Sequence, residues 1–403
     1  MTIYEHFGVK PIINVAGATT RHGGALMKPE VVEAMAEAAK ASVCLDELQA
    51  AASKVIARVT HAEAGIVTCG AAAGLTLATA ACIAGLDVAR MNRLPDASGV
   101  PNEVIMPWHQ ICGYGHAVRA AGARLVGVGI PNDATPPQET HIISRWDIES
   151  AIVKDTVAIA YGARPGSHPP LEEVVEVSRE HGIPLIVDAA AQVPPMENLH
   201  RFIDMGADLV CISGGKGIRG PQDSGILCGR RELIASAALQ MLDMAGRPFE
   251  AWKPPPSLIP KEKLHGKPEH GIGRGMKVTK EAAIGLLVAL ENFTQDELVE
   301  DKKFLRQLLG RIQERLEGVP GLEMRVTGDS DGRYPALELM VDRQVMGRSA
   351  YDVARKLSEG TPSICVEDED RLLSRGVVTV NSINLDEKTS ATVADRLYAA
   401  VAD

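Results

Sequence analysis

The sequence holds seven cysteines, Cys44, Cys69, Cys82, Cys112, Cys211, Cys228 and Cys365, and no C-x-x-C pair among them. An odd, scattered set, several inside apolar stretches such as "LVCIS" and "GILCG", excludes a disulfide framework and reads as reduced thiols of a cytoplasmic protein. A basic surplus is missing as well. The formal net charge is −10, which excludes a nucleic-acid scaffold, because phosphate binding needs excess Lys and Arg on some face. The nearest basic cluster, residues 261–277, is interrupted by Glu262 and Glu269 and reads as a solvated loop. At the start, "MTIYEHFGVKPIIN" has no basic region followed by an apolar core, so no signal peptide is expected. The stretch 70–86, "GAAAGLTLATAACIAGL", is uncharged for seventeen residues, near the lower limit for a membrane span. Its Ala, Gly and Thr content makes a poor lipid-facing surface and suits a helix packed inside a protein. No membrane association is expected, and no internal repeat or low-complexity tract is found.

What is present is an alternation. The 403 residues, 45% hydrophobic, suit one large domain and a smaller one. Seven strand-length apolar runs, "AGIVTC", "EVIMPW", "ARLVGVG", "TVAIAYG", "IPLIVDA", "ADLVCIS" and "SGILCG", lie between about residues 60 and 230. Helical patterns separate many of them. "LEEVVEVSREHG", for instance, places Leu171, Val174, Val175 and Ser178 at helical spacing. Strands alternating with helices predict an α/β fold with a mostly parallel seven-stranded sheet covered on both faces. Residues 1–30 read as an N-terminal arm and 31–278 as the large domain, within which Pro- and Gly-rich 247–276 is a long loop. Residues 279–403 read as a small C-terminal α+β domain that opens with one long helical stretch from Thr279 to Leu316.

In such sheets ligands bind beyond the carboxyl ends of the strands, so the polar residues there matter most. Asp188 closes "IPLIVDA". A carboxylate at the tip of a buried strand is costly unless it is paired or functional; it either caps the next segment or awaits a cationic ligand. One strand later, "ISGGKG" holds Lys216 among glycines, where desolvation lowers a lysine's pKa and makes it a nucleophile or base. Gly215, Gly217 and Gly220 match G-x-G-x-x-G, but Pro221 follows at once and no helix opens there, so the dinucleotide reading fails. The third element, "VTCGAAAG", is a strand end followed by a helix start of small residues. There Thr68, Cys69, Gly70, Ala71 and Ala72 form a candidate anion cradle. Cradle, Asp188 and Lys216, in this order, match what pyridoxal 5'-phosphate needs: a phosphate site, a partner for the pyridine nitrogen and an imine-forming amine. Ser213 could add a hydroxyl to the phosphate. His109, at another strand end, is either a surface histidine or a ring stacked on the cofactor, and Gln192 is a candidate partner for the phenolic oxygen.

The segments "VTCGAAAGLTLATAACIAG", "IPLIVDAAAQVPP", "ISGGKGIRGPQDSGILCG" and "GRGMKVTKEAAIGLLVALENF" resemble the selenocysteine synthase-like group of pyridoxal-phosphate enzymes. Within that group the likeness is to the branch of D-glucosaminate-6-phosphate ammonia lyase and its relatives. The resemblance implies fold type I, the aminotransferase-like fold, with Lys216 as the imine lysine and Asp188 as the pyridinium partner. It also implies a homodimer or larger assembly with active sites at the subunit interface, so that Arg274 and Lys277 reach a neighbour's site. The selenium transferases carry an additional N-terminal segment for tRNA, whereas this acidic chain begins close to "PIIN", so no tRNA partner is expected. For a substrate carboxylate, arginine is the expected partner; Arg21, Arg164 and Arg375 are candidates, with His168 beside Arg164 in "YGARPGSHPP". The expected chemistry is a lyase reaction on a hydroxy amino acid or amino-sugar acid. Lys216 removes the α-proton, and His109 or His168 serves as acid for the leaving hydroxyl. A racemase or epimerase, an aldolase, a selenium transferase-like enzyme and a non-catalytic cofactor-binding protein remain as alternatives.

Overall fold

The computed structural model describes residues 2–129, 143–328 and 330–402. Its strands, in chain order, are β1 (Ile13–Val15), β2 (Ala64–Thr68), β3 (Glu103–Pro107), β4 (Arg124–Val128), β5 (Thr156–Gly162), β6 (Leu185–Asp188), β7 (Leu209–Ser213), β8 (Gly225–Gly229), β9 (Leu322–Thr327), β10 (Ala336–Val341), β11 (Ile364–Val366) and β12 (Val377–Asn381). Two compact units divide them: Lys28–Val193 with Glu197–Leu290, and Met1–Met27 with Pro194–Met196 and Glu291–Asp403.

The first unit is built on one seven-stranded sheet in the order β2-β8-β7-β6-β5-β3-β4. Only β8 runs against its neighbours; the pairs β7–β6, β6–β5, β5–β3 and β3–β4 are parallel. All seven apolar runs in the sequence are these seven strands, and the mostly parallel sheet is borne out. Their continuous Val, Ile and Leu composition follows from burial on both faces: Ile66, Ile105, Ile159, Leu185, Ile186, Leu209 and Ile226 have no exposed surface. Each such side chain contributes about 1.5–3 kcal/mol by leaving water, so the sheet is the stable platform from which loop residues project. The Ala-rich stretch is the helix Ala71–Ala84, of which twelve residues are buried. Its small side chains permit close approach to the sheet: a Cβ on Gly74 would lie 3.3 Å from Cys211 Sγ. Among the described residues no helix is long and apolar enough to cross a membrane.

The long loop after helix Arg231–Met241 is anchored from within. Buried Asp46 accepts hydrogen bonds from Trp252 Nε1 at 3.0 Å and from Arg247, and short 3-10 turns form at Lys261–Lys263 and Ile272–Met276.

In the second unit β1 pairs in parallel with β11, so the N-terminal segment contributes a strand to this unit, and β10 lies between β9 and β12 with both pairs antiparallel. The single helical stretch expected from Thr279 to Leu316 is broken into two helices, Lys280–Asn292 and Gln295–Leu316. Thr294 is extended and its side chain accepts the Glu297 N–H at 3.4 Å. That is an N-cap, with Asp296 and Glu297 in the first turn where the helix dipole favours them.

Candidate active site

Because β8 alone is reversed, the carboxyl ends of β2, β3, β5, β6 and β7 and the amino end of β8 share one edge of the sheet. The register is explicit: Thr68 on β2 and Ser213 on β7 both pair with Gly225 on β8, Asp188 pairs with Cys211, and Gly162 pairs with Asp188. Residues far apart in sequence are thereby set side by side.

At the end of β2 the chain turns through Gly70, whose φ of +97° is open to glycine and costly for other residues. The Thr68 hydroxyl, fully buried, donates to the Gly70 carbonyl at 2.9 Å and so shapes the turn. Gly70 caps the helix Ala71–Ala84 with no side-chain hydrogen bond. The N–H groups of its first turn are left to an external acceptor, and a Cβ on Gly70 would meet nothing within 4 Å. Open space over an uncapped helix N-terminus suits an anion, which the helix end favours by up to about 2 kcal/mol.

Lys216 stands in a loop that backbone bonds close on itself. Gly214 N–H donates to Ser224 O, Gly220 N–H to Gly214 O and Arg219 N–H to Lys216 O, each at 2.9 Å. The glycines permit this: a Cβ on Gly214 would press on Ser224 and on Leu286 Cδ1. The single amine is thus carried on a rigid, nearly bare loop. Lys216, Asp188, Gln192 and Arg164 line one cavity, together with Gln110, Tyr161 and Tyr114. Burial lowers the Lys216 pKa, with Asp188 opposing that shift and the Arg164 charge adding to it. Burial raises the Asp188 pKa, and the Ala190 N–H at 3.0 Å, Lys216 and Arg164 offset only part of it. A buried carboxylate raised despite two cationic neighbours is one that a further cation would stabilise.

The sequence pattern points to His109, and the structure turns its neighbour Gln110 into the cavity instead. Its Oε1 accepts the Gly162 N–H at 2.7 Å, which fixes the orientation of the amide, and its buried Nε2 has no hydrogen-bond partner. An apolar strand followed by a polar residue in the next turn was the available signal, and His109 and Gln110 satisfy it equally. His109 itself is exposed, in the short 3-10 turn Trp108–Gln110. Partial burial, then the charges of His168 and Arg164, hold its imidazole below the ordinary range. Ser213 is half-buried at the end of β7. Cys69, half-buried, has its thiol pKa raised by burial first and by Asp223.

Four further expected residues are not among those lining the cavity of Lys216. Arg274 and Lys277 line a second cavity with Leu45, Met241 and Asp243, not that of Lys216. Arg274 pairs with Asp243 at 2.9 Å, and its Nε is buried without a partner. Arg21 and Arg375 belong to the second unit, Arg21 paired with Asp368 and Arg375 exposed just before β12.

Thr68 to Ala72, Ser213, His109 and His168 are not among the residues lining the cavity of Lys216; taken together, the open helix start and that cavity would suit a cofactor carrying a phosphate and a ring nitrogen. The helix start is open, a further cation would stabilise the buried carboxylate, and the amine of Lys216 lies on the same cavity as that carboxylate. Comparison with known proteins agrees. The chain is 35% identical over 381 residues to 5'-C-glycyluridine monooxygenase-decarboxylase of Streptomyces sp, covering 91% of this chain and 84% of that protein. It is 32% identical over 407 residues to D-glucosaminate-6-phosphate ammonia lyase of Salmonella typhimurium, covering 98% and 96%. A solved structure of D-glucosaminate-6-phosphate ammonia-lyase superposes with a TM-score of 0.77 at 31% identity, over 100% of both chains. The fold is the type I fold of pyridoxal-phosphate enzymes, and pyridoxal 5'-phosphate is the cofactor these residues suit. Matched over residues 33–332, the chain belongs to the DegT/DnrJ/EryC1/StrS aminotransferase family.

Proposed function

We propose that this protein is a pyridoxal-phosphate-dependent ammonia lyase. Its substrate is a 2-amino-3-hydroxy acid of the amino-sugar class, which it converts to a 2-keto acid and ammonia. The observation that carries the reading is the meeting of Lys216, Asp188 and Arg164 on one cavity at the strand ends, in a chain that matches an ammonia lyase end to end.

The helix Ala71–Ala84 and Ser213 would hold the phosphate, Asp188 would keep the ring nitrogen protonated, and Lys216 would be the covalent anchor. When bound, the cofactor supplies an electron sink for the pair left on Cα after deprotonation. The Lys216 amine would take the Cα proton; its burial-lowered pKa keeps more of it as free base than a solvated lysine would be. Arg164 pairs with the substrate carboxylate, a geometry suited to its planar fork. The leaving hydroxyl draws its proton from the His109–His168 pair, so a C–H and a C–O bond break, a C=C bond forms and water departs. The released enamine tautomerises, takes up one water and loses ammonia, which balances the reaction. The protein works in the cytoplasm as a homo-oligomer, with Arg274 and Lys277 facing a neighbouring copy's site.

The test is a panel of phosphorylated and unphosphorylated amino-sugar acids and D- and L-hydroxy amino acids, assayed for ammonia and 2-keto acid with and without oxygen. Equal amounts of both products, formed anaerobically, are expected. Turnover that requires oxygen and releases carbon dioxide would replace the lyase by a monooxygenase-decarboxylase. Cα–H exchange in deuterium oxide without ammonia would replace it by an epimerase.

A further inference from the structure

At the opposite edge of the same sheet, before the amino ends of β2 and β7, two imidazoles and a carboxylate converge. His61 ends the helix Leu45–Thr60 in a left-handed conformation, φ +58°. His200 precedes the short helix Arg201–Met205 and stands four residues before Asp204, the spacing that puts two side chains on one helical face. His61 Nδ1 lies 2.9 and 3.1 Å from the two Asp204 oxygens, and His200 Nδ1 lies 2.6 Å from Oδ2. The rings stack with centroids 4.3 Å apart and planes 24° from parallel.

The geometry makes a specific electrostatic demand. An ionised carboxylate only accepts hydrogen bonds, so neither Nδ1 can aim a bare lone pair at it. Either both nitrogens carry protons or one cation takes the point where the three groups meet. Protons on both nitrogens, in neutral Nδ1–H rings or in imidazolium, satisfy the carboxylate, and a bound cation would do so with both rings as ligands through Nδ1. The donors, two nitrogens and one oxygen, are those of late first-row divalent ions and not of magnesium or calcium, which take oxygen shells. With Zn–N and Zn–O bonds of roughly 2.0–2.2 Å, a tetrahedral site sets its ligand atoms about 3.3 Å apart. Against that spacing the His61–Asp204 separation of 2.9 Å needs to open by about 0.4 Å and the His200–Asp204 separation of 2.6 Å by about 0.7 Å. The side chains are 54%, 34% and 45% exposed for His61, His200 and Asp204. They are free to make that adjustment and to leave positions for water.

We propose that His61, His200 and Asp204 form a binding site for a zinc-class divalent ion that is separate from the cofactor site. The ion ties the chain entering β2 to the chain entering β7, the two strands that flank β8. Because β8 carries Gly225 between the cradle and the Lys216 strand, the site braces the sheet that aligns them without touching the chemistry. Its role is structural linkage: an ion bound only by the folded state stabilises that state by mass action.

The test uses the cofactor-loaded protein, stripped with chelator and titrated with zinc chloride by calorimetry, with thermal melts alongside. His200→Ala and Asp204→Asn are made separately and their folding is checked by circular dichroism. The expected result is a zinc-dependent rise in melting temperature for the parent protein. In both variants that rise is lost and affinity falls by about tenfold or more, with ammonia release unchanged. A parent protein whose melting temperature ignores zinc would overturn the proposal, and so would variants that bind zinc as tightly as the parent.

Discussion

Gly225→Ala is the sharpest structural test of the cofactor cradle. Gly225 lies between Thr68 and Ser213 in the sheet, and a Cβ there would stand 2.5 Å from Gly70 C, 2.8 Å from Ala71 N and 2.9 Å from Gly70 Cα. All three are backbone atoms at the helix N-terminus, so no side chain can rotate aside. Ordinary carbon contacts begin near 3.5 Å, which leaves the new methyl about 1 Å too close. Either the strand or the helix start must move, and overpacking of this kind costs roughly 1–3 kcal/mol. The cradle's favourable field, up to about 2 kcal/mol, falls away within the first turn, so its complete loss weakens cofactor binding by about 30-fold. Titration of the apoprotein with pyridoxal 5'-phosphate, followed by visible absorbance, should show a ten- to thirty-fold weaker affinity by the same estimate, together with a melting point lowered by a few degrees. Gly310→Ala is the control. A Cβ there meets nothing within 4 Å, and the site is inside the helix Gln295–Leu316, so a gain of up to about 1 kcal/mol is expected. If Gly225→Ala binds cofactor as tightly as the parent and melts at the same temperature, the reasoning from the cradle's geometry is wrong.

Replacing Asp188 by Asn removes the buried anion while keeping shape; turnover should fall by roughly 10²–10³-fold with cofactor still bound, as measured by ammonia release and absorbance. On the proposed role of Lys216, cofactor capture by the apoprotein would require its neutral amine, whose pKa is lowered chiefly by burial. The capture rate should therefore rise with pH and level off below the ordinary lysine value, and stopped-flow rates that keep rising through that value would contradict the burial argument. Asp46→Ala leaves the Trp252 indole N–H without its acceptor inside the protein. A loss of about 1–3 kcal/mol is expected from chemical denaturation.

Strand positions and the order of chemistry-bearing residues were legible because both depend on local pattern. The seven apolar runs are the seven strands of the large sheet, and Asp188 and Lys216 stand at the ends of β6 and beyond β7 as burial on both faces requires. What lay beyond reach depended on three-dimensional register. Nothing local distinguishes Gln110 from His109, and only the Gly162 N–H contact shows that Gln110 turns inward. Among the arginines, Arg164 reaches the cavity of Lys216 through the pairing of β5 with β6, a neighbour relation set by sheet order. Arg274 and Lys277, close to the core motifs in sequence likeness, line a different cavity. The helix break at Thr294 had a signal, a capping threonine followed by Asp296 and Glu297. The apolar periodicity on either side of it masked that signal.

The central claim is that residue 216 carries the cofactor. Borohydride reduction of the cofactor-loaded protein, digestion and peptide mass spectrometry test it most directly. A single pyridoxyl group on Lys216, absent from a Lys216→Ala variant, is expected. Attachment to another lysine, or a protein that takes up no cofactor at all, would contradict it.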